Sequence, residues 1–400
     1  MTRFRASWVV PIDGPVIRDG WLAVDDGRIT AVGHEPPPDA IDLGHVALMP
    51  GLVNAHTHLE LSHLHGQIPR GATFMAWVQT LLRVRREQPA ADAQILAAAA
   101  GAVAQARASG TALVGDVANT PVTIDVLRQA GMAGRVFIEL IGFAAGDPQA
   151  RVRETRAAFP PAGNADVRVS LAAHAPYSVS PALFTAIRQD LDTTPDARAS
   201  VHVAESPEEV EFIECGTGPW RVMLERLGVW NPEWRAPGCS TVSYLDRLGF
   251  LDSRVLAVHG VQCSGEDLRR LQVLGVAIAA CPRSNAYVGV GSPPLEAFYA
   301  MDVEVAFGTD SLASNDNLHM FDELREARRL APRVPASALL RSATLVGAKA
   351  LGFEGEFGAL APGYRAEVLA VRVPEGVTDV EEYLVGGVSA DDLTWVGHPV

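Results

Sequence analysis

Two imidazoles separated by one residue, His56 and His58, are the first feature of this 400-residue chain that could do chemistry. On a β-strand that spacing puts both side chains on one face. Two imidazoles on one face suit a borderline-soft divalent ion. Further on, His202 could supply a third nitrogen and Asp310 a carboxylate oxygen. Three nitrogens and one oxygen with room for water would make a catalytic site rather than a closed structural one. His174, Glu205 and His259 are polar residues in equivalent positions, each just after an apolar run.

Each of these residues also has a plain reading. A lone buried histidine such as His174 or His259 is more often a satisfied core residue than a ligand. Asp310 alone could cap a helix, and Glu205 could be a first-turn helix acid before Glu208 and Glu209. The functional reading rests on their joint occurrence at several apolar-run ends. His63-Leu64-His65 repeats the spacing, but no apolar run precedes it, so it reads as loop. His34, His45, His319 and His398 take the same plain reading.

The elements that would have to position these groups are visible as eight short apolar runs: 51–55, 111–114, 136–141, 167–172, 200–203, 255–258, 276–280 and 303–307. Stretches of helical length lie between most of them, such as 94–108 and 181–191. Eight strands alternating with helices predict a (β/α)8 barrel, whose active site lies at the C-terminal strand ends. An open doubly wound sheet is the alternative. For a nucleotide role it would need a glycine-rich phosphate loop after its first strand, where this chain has Asn54-Ala55-His56. The first fifty residues predict short strands near 8–12, 20–24 and 28–32, and 356–373 predicts more around the Pro362-Gly363 turn. The expected organisation is a small β-sandwich from 1–50 plus 355–400 around a barrel at 51–354. The acidic run 379–382 reads as a solvated face.

Composition narrows the partners. Hydrophobic residues make up 48% and charged residues 20%, which excludes a disordered or fibrous chain. A net charge of -14 opposes binding to nucleic acid or to an anionic membrane surface. There is no apolar run long enough for a membrane span, and the basic start is broken by Pro11 and Asp13, so a cytoplasmic enzyme of a small molecule is expected. The four cysteines form no CxxC pair and read as reduced thiols.

The segments Gly51-Leu52-Val53-Asn54-Ala55-His56-Thr57-His58, His202-Val203-Ala204-Glu205, Val258-His259-Gly260 and Phe307-Gly308-Thr309-Asp310-Ser311 together resemble the amidohydrolase superfamily, and its cytosine deaminase and chlorohydrolase-like branch in particular. The resemblance implies a distorted (β/α)8 TIM barrel with a small β-sandwich, in some relatives a homodimer. It implies one divalent metal ion, commonly zinc, with iron or manganese as alternatives, held by His56, His58, His202 and Asp310. Relatives with two metals bridge them by a carboxylated lysine after the fourth strand. The only lysine here is Lys349, beyond the eighth run, so that arrangement is excluded.

The resemblance also implies roles. A bound ion lowers the pKa of water toward about 7. Asp310 would take the water's proton, His259 would orient the water, and Glu205 would protonate a ring nitrogen and then the departing amine. His58-Leu59-Glu60-Leu61-Ser62, Phe74-Met75-Ala76-Trp77, His174-Ala175-Pro176-Tyr177 and Cys281-Pro282-Arg283-Ser284-Asn285 are similar to segments of bacterial 6-aminodeoxyfutalosine deaminases of the menaquinone route. That implies Glu60, Phe74, Trp77, His174, Tyr177, Arg283 and Asn285 as substrate contacts. Arg283 would pair with a substrate carboxylate, and Phe74 and Trp77 would pack on its ring. Arg83, Arg85 and Arg86 read as a solvated helix face or as a second source of that cation. The alternatives are a methylthioadenosine or S-adenosylhomocysteine deaminase, a chlorohydrolase or other cyclic amidine or amide hydrolase, and a metal-free scaffold.

Overall fold

In the computed structural model, residues 1–71, 73–144, 146–159 and 166–397 are described, so His398 lies outside them. All eight predicted apolar runs form parallel strands. They are Leu52–Thr57, Thr111–Ala118, Ala133–Leu140, Val167–Ala173, Ala199–Val203, Val255–His259, Ala277–Ala280 and Val305–Phe307. The first four pair in order as one sheet and the last four as another. Leu52–Thr57 and Thr111–Ala118 are buried at every residue, as expected of strands covered on both faces by helices and barrel interior.

Two seams close these sheets into a barrel and rule out the open-sheet alternative. At one, the His202 N–H donates to the His174 carbonyl at 2.9 Å. At the other, the Asp310 N–H donates to the His56 carbonyl at 3.0 Å, beside a parallel bridge between Thr57 and Asp310. The connecting helices start where the chain offers caps. In Pro181–Thr193, the Ser180 side chain accepts the Leu183 N–H and proline fills the first turn.

Both chain ends contribute to one seven-stranded mixed sheet. Its order is Leu393–Val396, Val368–Arg372, Val46–Pro50, Thr2–Val9, Ile17–Asp25 and Arg28–Gly33, with Ile41–Asp42 on Thr2–Val9. Three details differ from expectation. The first strand ends at Val9 rather than 12, since Pro11 has no N–H to donate. Of 356–373, only Val368–Arg372 is a strand; the rest turns through Gly363 at φ 93°. The acidic run 379–382 is not simply a solvated face: Asp379 caps the helix Val380–Val385, and Glu382 pairs with Arg328 at 2.6 Å.

The seam beside Asp310 needs a residue without a side chain. A Cβ on Gly308 would stand 2.6 Å from the His56 carbonyl oxygen and 2.8 Å from its Cβ. Gly308→Ala therefore pushes the first and eighth strands apart, and overpacking of this kind costs about 1–3 kcal/mol. A lower thermal unfolding midpoint is expected, and an unchanged midpoint would contradict this account of the seam.

Candidate active site

Five strand ends deliver imidazoles or carboxylates to one volume at the C-terminal mouth of the barrel. His56 and His58 project from the first strand end; their Nε2 atoms stand 3.7 and 3.6 Å from Asp310 Oδ1. The His56 ring centroid is 4.9 Å from that of His58, 5.0 Å from His202 and 5.7 Å from His259. Potential ligand atoms of His56, His58 and Asp310 lie within 4.8 Å of one another, as do those of His56, His202 and His259. Both ring nitrogens of the fully buried His56 lack a hydrogen-bond partner. A buried polar group left unpaired is costly, so this donor set fits a cation: His56, His58, His202 and Asp310 would hold it.

Neighbouring groups fix how each of these side chains points. His202 Nδ1 lies 2.8 Å from the His174 carbonyl, which leaves Nε2 for the cluster. Asp310 Oδ2 accepts from the Ser284 hydroxyl at 2.6 Å and from Ser314 at 3.1 Å, so Oδ1 faces the imidazoles. His259 Nδ1 stands 3.0 Å from the Asn285 amide nitrogen; a donor there places the ring proton on Nε2, 3.5 Å from Glu205 Oε1. Three non-glycine residues at these strand ends, Ala204, His259 and Asp310, have φ of 51°, 76° and 56°. Left-handed backbone at non-glycine residues clusters where a site demands it.

The electrostatics follow from burial. It holds the His58 imidazole down to about 4, aided by His56, and His259 down to about 3, so both stay neutral and able to act as ligands or donors. Burial works against ionisation of Asp310, yet the neighbouring imidazoles of His56, His58 and His259 keep it well below the usual carboxylate range. Glu205 goes the other way: burial pushes it well above that range, and the charges of Asp310 and Glu209 push in the same direction. Burial and neighbouring groups thus push these two carboxyls in opposite directions, which is how a site assigns a base and an acid.

A cavity of about 730 Å³ opens from the cluster. Of the predicted substrate contacts, Phe74, Trp77, His174 and Tyr177 line it. Phe74 and Trp77 stack at 6.2 Å between centroids, and Tyr177 stacks on Trp220 at 3.7 Å. His174 is held by the Ser178 hydroxyl, 2.5 Å from its Nδ1.

Three predicted contacts are not among the residues that line the cavity. Arg283 turns away from the cavity; its Nη1 donates to Asn317 Oδ1 at 2.9 Å and lies 3.5 Å from the buried Glu323. Asn285 reaches His259, not the cavity. Glu60 is occupied by the N–H groups of Asn119 and Thr120, both donating to Oε2, at 2.9 and 3.1 Å. The cavity's cations are instead Arg85 and Arg151, neither with an ion-pair partner among the described residues. The solvated-face reading of Arg85 thus holds for its exposure but not for its place. Arg151, Glu139 and Trp220 line the cavity and were not anticipated. Glu139 had a legible signal, a lone acid in an apolar run; Arg151 lies in a polar helix like any other.

Residues 47–387 match the profile of the amidohydrolase family. The 5-methylthioadenosine/S-adenosylhomocysteine deaminase of Moorella thermoacetica is 30% identical, over 97% of this chain and 90% of that one. The aminodeoxyfutalosine deaminase of Deinococcus radiodurans is 30% identical, over 83% and 81%. Among solved structures, an adenosine deaminase from Xanthomonas campestris with bound zinc superposes with a TM-score of 0.82 at 28% identity, over 98% and 90% of the two chains. The Helicobacter pylori aminofutalosine deaminase in complex with methylthio-coformycin gives 0.84 at 25%, over 96% and 95%.

Proposed function

The chain belongs to the amidohydrolase family, and from that premise we propose that it is a metal-dependent hydrolytic deaminase of an adenine nucleoside, with 6-aminodeoxyfutalosine as the substrate and zinc as the ion. The observation that carries this reading is the buried Glu205 carboxyl 3.5 Å from His259 Nε2, pushed above the usual carboxylate range while Asp310 is held below it. Deamination of a purine needs an acid at the ring nitrogen next to the attacked carbon, a base for the water, and a donor for the growing charge on oxygen.

His56, His58, His202 and Asp310 would hold the ion, which would supply Lewis-acid activation of water. Asp310 accepts the water's proton at its carboxylate. His259 directs its Nε2–H at the oxygen that attacks, a direction fixed by Asn285 behind it. Glu205 protonates the adjacent ring nitrogen; the proton left on the attacking oxygen then passes by way of the Glu205 carboxylate to the exocyclic amine, which leaves as ammonia as the carbonyl forms, and the proton taken by Asp310 restores Glu205. The aromatic walls exclude water from these steps and hold the ring.

The cavity supports a substituted nucleoside. Its volume of about 730 Å³ lies well inside the range of sites for drug-sized ligands. Its lining includes the apolar Leu82, Ile141, Leu227 and Val229, the cations Arg85 and Arg151, and the acids Asp147 and Glu154. An apolar ring bearing a carboxylate matches those apolar residues and arginines. The Moorella relative favours a second reading, methylthioadenosine or S-adenosylhomocysteine as the substrate, of which the latter also bears a carboxylate that the arginines would suit.

Glu205→Gln keeps the side chain's shape and removes the transferable proton. It is expected to retain the metal while ammonia release from the nucleoside falls by about 10²–10⁴-fold; unchanged release would remove Glu205 from the chemistry. The pH dependence carries the same sign: Glu205 is competent below its raised pKa, so turnover of the unmodified protein is lost as pH rises through that value.

Arg85→Met tests the substrate class. KM for 6-aminodeoxyfutalosine is expected to rise about tenfold, the scale of one charge-assisted hydrogen bond at an exposed site, with methylthioadenosine little affected. Equal changes on both would contradict a carboxylate at Arg85.

A further inference from the structure

The chain must bend sharply for Glu205 to face the cavity, and a second buried carboxylate holds that bend. The strand Ala199–Val203 ends at Val203, and Ala204 is left-handed at φ 51°. Glu209, itself fully buried, reaches back under the bend. Its Oε1 accepts the Ala204 N–H at 2.7 Å, and its Oε2 accepts the Glu205 N–H at 3.0 Å. Its own N–H donates to the Ser206 hydroxyl at 3.2 Å, the cap of the helix Pro207–Cys215.

The side-chain type matters. A carboxylate offers two acceptor oxygens to two adjacent N–H groups. An amide offers one, and its NH2 would oppose the other N–H. Burying a carboxylate is costly, and burial raises Glu209 to about 7, with the two backbone N–H groups pulling it back. A helix first turn gains from an acid without burying it, and Glu208, only partly buried, already stands there. The buried position of Glu209 therefore calls for a reason beyond the helix.

We propose that Glu209 is the positioning residue for Glu205: its two oxygens clamp the Ala204–Glu205 backbone so that the Glu205 carboxyl lies against His259 Nε2 and the substrate ring. Glu209 does not line the cavity and acts through Glu205, so the proposal rests on the acid role assigned to Glu205 above.

The test compares Glu209→Gln, Glu209→Asp, Ser206→Ala and the Glu205→Gln/Glu209→Gln double variant, using the full metal-loaded chain and the adenine nucleoside that the unmodified protein turns over fastest. Displacing a catalytic group by about 1 Å can cost on the order of 10²-fold. Glu209→Gln is expected to lower kcat by about 10–100-fold with KM within about threefold, and with metal content and melting midpoint near the parent's. In the Glu205→Gln background it is expected to cause no further loss. Ser206→Ala, which uncaps the same helix and leaves the clamp, is expected to keep kcat within about threefold.

An unchanged kcat in Glu209→Gln, a full further loss in the double variant, or an equal loss in Ser206→Ala would overturn the proposal. So would failure of both Glu209 variants to fold, which would make the residue purely structural. If the unmodified protein releases no ammonia from any adenine nucleoside, the deaminase reading fails instead. The clamp is then judged by a crystal structure of Glu209→Gln: a Glu205 carboxyl swung away from His259 supports it, and an unmoved one overturns it.

Discussion

A backbone hydrogen bond from the Asp310 N–H to the His56 carbonyl at 3.0 Å joins the end of the last barrel strand to the first, with the Asn54–Thr309 side-chain pair and the Thr57 hydroxyl on the Asp310 carbonyl beside it. The residues that share this bond are also the site. Closing the barrel there puts Asp310 Oδ1 within 3.7 Å of both imidazoles of the His56–His58 pair. The closure tolerates no side chain on Gly308. Fold and site are therefore one constraint, and the chain cannot relax one without loosening the other. The other seam repeats the arrangement: the His202 N–H pairs with the His174 carbonyl, and that same oxygen orients the His202 ring.

Gathering five imidazoles and three carboxyls at the mouth of a buried barrel is expensive. The chain offsets it by giving several of these groups a partner on the far side: Ser284 and Ser314 for Asp310, Asn285 for His259, Ser178 for His174, and the bend above Glu209 for Glu205. His56 has no hydrogen-bond partner at either ring nitrogen. The supports lie beyond the strands, in turns for Ser178 and Ser314 and in helices for Ser284, Asn285 and Glu209, and the left-handed residues Ala204, His259 and Asp310 stand at the ends of the fifth, sixth and eighth strands. A deaminase needs a base and an acid close together without mutual neutralisation. Here the same burial acts on both, and the surrounding imidazoles decide which one ionises.

Much of this was legible in the sequence because it depends on local pattern. Parallel barrel strands are buried on both faces, so they stand out as apolar runs, and the polar residue after each run marks the mouth. All eight runs and the residues of the cluster were found that way. What failed depends on side-chain direction across distant elements. Arg283 follows the seventh strand as the pattern suggests, but the buried Glu323, forty residues later, draws it away from the cavity. Glu60 is in the right segment, yet two backbone N–H groups from 119 and 120 occupy it. The third strand began three residues earlier than its apolar run. Its first turn holds Gly134 and the buried Arg135, whose charge is matched by Asp196 and by the Leu351 carbonyl, partners no local window contains. The strand Val46–Pro50 was missed because it directly precedes the first barrel strand and merges with it in pattern.

The central claim is that these strand ends converge on one cation, and anomalous diffraction from crystals grown with zinc tests it most directly. The account predicts one strong peak enclosed by His56, His58, His202 and Asp310. A peak placed instead among Glu139, His174 and His202, whose ligand atoms also lie within 4.8 Å of one another, or no peak from zinc-loaded protein, would contradict it.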